Sequence, residues 1–147
     1  MGWFNYYGLI AIIAILLPNI LVAILDKSAF QNKSNNKVIL IVEQVGRYCC
    51  MAFLVFNIPY TYIGFWFENA LAVYTIVGAI LLIFYYLGWV FYRKSNCAAK
   101  MLWLSVTPTL LFLFCGIMIV SIPLILSAII FGIGHITVSY NNRSEVR

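Results

Sequence analysis

MLWLSVTPTLLFLFCGIMIVSIPLILSAIIFGIGHITVSY, residues 101–140, runs for forty positions without a Lys, Arg, Asp or Glu. One straight helix of that length would measure about 60 Å, twice the roughly 30 Å of a bilayer's hydrocarbon layer. The segment therefore has to fold back on itself. Ser121-Ile122-Pro123 is the natural break, because proline lacks an N–H and clashes inside a helix but fits its first turn. This divides the run into a fourth span at about 101–120 and a short fifth at about 123–139.

Upstream, three more apolar runs have the length of a crossing: 6–25, 38–58, which stops at Pro59, and 70–92. Between them lie a polar stretch at 26–37, an aromatic connection at 60–69 and a second polar stretch at 93–100. The expected fold is an all-α integral membrane bundle of five helices, filling 1–147 as one domain. Charge supports the count. Five crossings put Lys27, Lys33, Lys37, Arg93, Lys94, Lys100, Arg143 and Arg147 on one side, leaving no basic residue on the other. Four crossings would split them. The positive-inside bias then sets the N-terminus outside and the C-terminus in the cytoplasm. Trp3 and Trp66 fall at the outer interface and Trp89 and Trp103 at the inner one, where an indole has its ring in an apolar layer and its N–H near water.

Composition agrees, with 65% hydrophobic and 9% charged residues, where a soluble domain carries about 25% charged residues. The net charge of +5 belongs to the connections between spans, so nucleic acid is not an expected partner. Membrane lipids are. Asn, Lys and Ile usage suggests an AT-rich bacterial genome and hence a bacterial plasma membrane. The first run has neither a basic segment before it nor a small-residue cleavage site after it, so it reads as a retained helix. Position 6 is Tyr6, which fails the myristoylation pattern. Cys49, Cys50, Cys97 and Cys115 form no C-x-x-C pair and read as packing residues.

The chemistry lies in polar residues at membrane depth. Arg47 sits about 14 Å into the second span, near the midplane, where an uncompensated charge is costly. Glu43 stands four residues earlier and shares its helical face, so the two can pair, and Gln44 adjoins them. His135, the only histidine, lies toward the inner end of the last span between Gly132 and Gly134, whose missing side chains let helices approach. Asn19 and Tyr86 come to a similar depth, as do Tyr85, Ser105, Thr107 and Thr109. Pro18 and Pro108 free backbone carbonyls that something must satisfy, and kinks there would widen the inner half. The candidate binding residues are thus Arg47, Glu43, Gln44, Asn19, His135 and Tyr86.

No G-x-S-x-G elbow, H-E-x-x-H pair or phosphate loop occurs, and one histidine cannot build a metal or haem site alone. No catalytic residue, metal or cofactor is expected. The leading expectation is a protein that binds or transports a small or lipid-like molecule in a polar intramembrane site, alone, as a homo-oligomer or as a subunit of a larger complex. The alternatives are a lipid-modifying enzyme using Glu43 or His135 as a base, and a structural accessory subunit in which Arg47 and Glu43 only hold helices together.

Overall fold

The computed structural model describes residues 2–25, 36–91 and 98–143. Five helices follow one another: α1 (Tyr6–Leu25), α2 (Lys37–Val55), α3 (Ala70–Phe91), α4 (Ala98–Met118) and α5 (Ile122–Arg143). All five are long and apolar enough to cross a membrane. The predicted segments Asp26 to Asn35 and Tyr92 to Cys97 lie outside the described residues, and so do Ser144 to Arg147. They hold Lys27, Lys33, Arg93, Lys94 and Arg147 of the expected basic face.

The helices alternate in direction. α5 packs between α2 and α4, α3 packs on α4, and α1 spans α2 and α3. All five helices contribute buried apolar side chains, α4 and α5 the largest shares, including Leu111, Phe112, Cys115, Leu124, Ala128 and Phe131, with Cys50 and Leu54 from α2. Cys49 is only partly covered.

Three boundaries differ from those expected by three residues or more. α2 ends at Val55 rather than at 58. Phe56 turns extended and forms a bridge with Phe4, while Asn5 N–H donates to the Val55 carbonyl and Asn57 N–H to that of Trp3, each at 2.8 Å. Pairing with the chain ahead of α1 thus stops the helix before Pro59 can. α4 starts earlier, at Ala98, and α5 continues to Arg143 past the expected 139. Hydropathy marks the oil-like layer, whereas a helix can run on through polar residues into water. Pro123 is the second residue of α5, still within the turn where N–H groups have no helical partner.

The reversal between α4 and α5 is tight. Val120 takes φ 49°, a left-handed geometry usually given to glycine, and Ser121 N–H donates back to the Gly116 carbonyl at 2.9 Å. The 60–69 connection folds onto this turn, with Gly64 N–H donating to the Ile119 carbonyl at 2.9 Å and Ile122 N–H to that of Thr61 at 3.1 Å. At the same end Asn5 is 1% exposed. It caps α1 by accepting from Gly8 N–H at 3.1 Å and donates to the Tyr74 hydroxyl at 3.4 Å. Tyr74 in turn packs among Tyr7, Phe65 and Phe114.

Four of the helix contacts pair a glycine with a polar bond. Gly8 lies on the Leu54 carbonyl where Asn5 bonds Val55. Gly88 admits the Trp103 ring, whose indole N–H donates to the Phe84 carbonyl at 2.8 Å. Gly132 faces Thr109 on α4, where Ser105 and Ser139 share a hydrogen bond. Gly46 of α2 faces α5 backbone and Gly134 of α5 faces α2 backbone, at the contact that carries Glu43 and His135. Close approach is what makes each short polar bond reachable, and in lipid such bonds and tight packing must supply much of the helix association.

Candidate functional site

The α2–α5 crossing is set by two glycines. A Cβ on Gly46 would lie 2.7 Å from the Phe131 backbone, and one on Gly134 would lie 2.8 Å from that of Glu43. Because the helices run antiparallel, these two contacts are one turn apart and bring the α2 and α5 backbones together over that length. Gly132 serves a different neighbour, so the two glycines flanking His135 do not open room on the same side.

At this crossing His135 Nδ1 stands 2.7 Å from Glu43 Oε1. Arg47 Nη2 donates to the same oxygen from the next turn of α2. A single carboxylate oxygen therefore holds both groups. Phe131, one turn before His135, stacks on its imidazole with ring centres 4.7 Å apart and itself meets Phe112 edge-on. Burial is uneven. The Glu43 side chain is 5% exposed, against 33% for Arg47 and 21% for His135. The acid lies beneath, and the side chains that reach the surface of the bundle are those of Arg47 and His135.

The other predicted site residues separate from this triad. Gln44 points outward, is exposed, and makes no hydrogen bond among the described residues. Asn19 donates to the Tyr85 hydroxyl and to the Ile15 carbonyl, each at 2.9 Å, which ties α1 to α3. Tyr86 donates at 2.7 Å to the carbonyl of Ala14. That carbonyl is the one Pro18 leaves without its helical N–H partner, so Tyr86 supplies the missing donor. Tyr86 and Asn19 thus repair and clasp a proline-interrupted helix. The hollow along α1 and α3, lined by Ala14, Ala79, Leu82, Ile83, Tyr86, Leu87 and Val90, is almost wholly apolar and does not contain the triad. The second hollow, at the opposite end of the bundle around Trp3 to Tyr7 and Phe65, does not contain it either.

Three structural polar residues escaped the sequence reading: Asn5, Asn57 and Ser139. Asn5 precedes an apolar run, which is the signature of a helix cap and was available. Ser139 lies at i+4 from His135 and carries no signal of its own. Among the described residues no cluster of His, Cys, Asp and Glu could hold a metal. No protein-family model, curated protein or solved structure matches the chain.

Proposed function

We propose that the protein lies in a membrane and binds or transports a small or lipid-like molecule at the Glu43–Arg47–His135 triad. In the proposed orientation the basic connections face the cytoplasm, which sets the triad in the cytoplasmic half of a cell membrane. One observation carries the reading. A buried carboxylate organises a guanidinium and an imidazole whose side chains are partly exposed at membrane depth. Ionisable groups there are costly and mark ligand or ion sites by default. Asn19 and Tyr86 support the neighbouring α1–α3 contact rather than touching the molecule. Lipid or a further subunit would cover the rest of the bundle's apolar surface.

The test is mass spectrometry of the intact protein released from membranes, alongside Arg47→Ala, Glu43→Ala and the double variant. A co-purifying molecule lost from Arg47→Ala while thermal stability holds supports a site. A second reading has its own observation: the triad joins α2 to α5 at their tightest contact, as a purely structural clasp would. In that case each single change lowers stability, the double change recovers part of it, and no molecule is found with the wild type. A lipid-modifying enzyme would instead leave an altered lipid profile on deletion of the protein.

A further inference from the structure

Building on the triad as a binding site, we infer that its ligand is a singly charged oxyanion, of the phosphodiester, sulfate-ester or carboxylate class, taken up together with one proton that comes to rest on Nε2 of His135. The argument starts from hydrogen-bond roles. Glu43 Oε1 already accepts from Arg47 Nη2, and His135 Nδ1 contacts the same atom at 2.7 Å. An oxygen acting as acceptor there requires the hydrogen to be on Nδ1. The neutral imidazole is thereby held as the Nδ1–H tautomer, and its Nε2 is a bare lone pair. In that state Nε2 repels an anion's oxygen. Adding a proton from water forms an N–H bond at Nε2 and turns it into a donor.

Charge leads to the same coupling. Arg47 and Glu43 cancel, so an anion arriving alone would leave the site with a net negative charge in a medium that resists one. With the proton on Nε2 the four groups sum to zero. Glu43 is covered while the Arg47 and His135 side chains are partly exposed, so the oxyanion of this proposal would bridge the remaining guanidinium N–H groups and Nε2. Among the described residues, the imidazole contacts Glu43 from α2 and Phe131 from α5 itself, Arg47 lies on the same carboxylate oxygen, and Tyr85 of α3 is within electrostatic reach of Arg47. Lys37 is at the exposed start of α2, and Tyr48 points away from the bundle. On α4 the only described Lys or Arg is Lys100, held 5.9 Å over the Trp89 ring, and Cys115 lies toward the other end of the helix.

The test uses the full chain in a non-ionic detergent with methyl sulfate, a monoanion that does not titrate near neutrality. Binding and proton uptake are measured together by calorimetry at pH 8 in two buffers of different ionisation enthalpy. A parallel arm places the protein in nanodiscs of phosphatidylglycerol or of phosphatidylcholine, to separate a lipid phosphodiester from a soluble anion. The expected result is close to one proton taken up per anion bound. His135→Gln, which keeps an N–H toward Glu43, should abolish the uptake and weaken anion binding at least tenfold. Arg47→Gln should remove binding. Anion binding without proton uptake, or uptake unchanged in His135→Gln, overturns the inference. So does a folded protein that binds neither probe. If an uncharged molecule co-purifies and depends on Arg47, this inference fails while the binding site stands. If nothing binds in any arm, both fail.

Discussion

Gly134→Ala is the sharpest probe of how the triad is built. The added Cβ would sit 2.8 Å from both Cα and N of Glu43, and 3.0 Å from its Cβ. Ordinary contact for such a carbon begins at 3.4 Å, so α2 and α5 must part by about 0.6 Å, the difference from 2.8 Å. No side-chain rotation can substitute, because the obstacles are backbone. The same movement would stretch the 2.7 Å Glu43–His135 contact to about 3.3 Å, past the usual limit for an N–H···O bond. Overpacking costs about 1–3 kcal/mol, and an interhelical hydrogen bond in a membrane contributes about 0.6 kcal/mol and at most about 1.7 kcal/mol. The sum is a loss of about 2–5 kcal/mol, read as a lowered midpoint in SDS-driven unfolding from bicelles. Gly132→Ala is the control. The nearest atoms to its Cβ belong to the Thr109 side chain, at 2.6 Å to Cγ2, so relief there takes a side-chain shift, at the expense of the 2.9 Å bond from the Thr109 hydroxyl to the Ser105 carbonyl, rather than a backbone movement. The expected order is a large loss for Gly134→Ala and Gly46→Ala and a small one for Gly132→Ala. Equal midpoints for Gly134→Ala and the wild type would refute the close crossing and the triad geometry that depends on it.

Other consequences can be checked with the same preparations. Tyr86→Phe should destabilise by about 1 kcal/mol by stranding the Ala14 carbonyl, and the effect should shrink in a Pro18→Ala background, where residue 18 regains its N–H; additive losses in a double-mutant cycle would disprove the repair. Val120→Gly should raise stability by about 1 kcal/mol in the same unfolding assay, since a β-branched residue at φ 49° carries strain that glycine does not. Cysteines introduced by Lys33→Cys and Asn69→Cys should react with a membrane-impermeant maleimide from opposite faces of sealed vesicles, and labelling of both from one face would rule out the proposed topology.

The helices were legible because their signal is long. Twenty apolar residues in a row leave little choice of structure in lipid, and Pro123 marks a break that length alone demanded. The ends of α2 and α5 were less legible, since Phe56 leaves the helix to pair with Phe4, a partner 52 positions away. The site divided in the same way. The pairing of Glu43 with Arg47 is local, and its i, i+4 spacing shows it. The pairing with His135 depends on two helix faces meeting, which in turn depends on Gly46, a residue with no chemistry of its own to draw the eye. Gln44 adjoins Glu43 in the chain yet turns outward, because neighbours on a helix point about 100° apart.

The polar residues at this depth do two kinds of work, and exposure separates them. Tyr85 is 3% exposed and Ser105 is 2% exposed, and their hydroxyl bonds run from helix to helix. Tyr86 and Trp103 donate to backbone carbonyls, so their polar atoms are occupied although parts of their rings face outward. Such groups hold the bundle together and leave nothing over. The triad differs in having hydrogen-bonding atoms to spare. Arg47 has five N–H groups and gives one of them to Glu43, and His135 uses one ring nitrogen of two. A clasp between α2 and α5 needed only a neutral pair, such as the serines that join α4 to α5. A buried acid under a partly exposed guanidinium and imidazole exceeds that need, and the excess is the physical reason to look for a ligand here before anywhere else in the molecule.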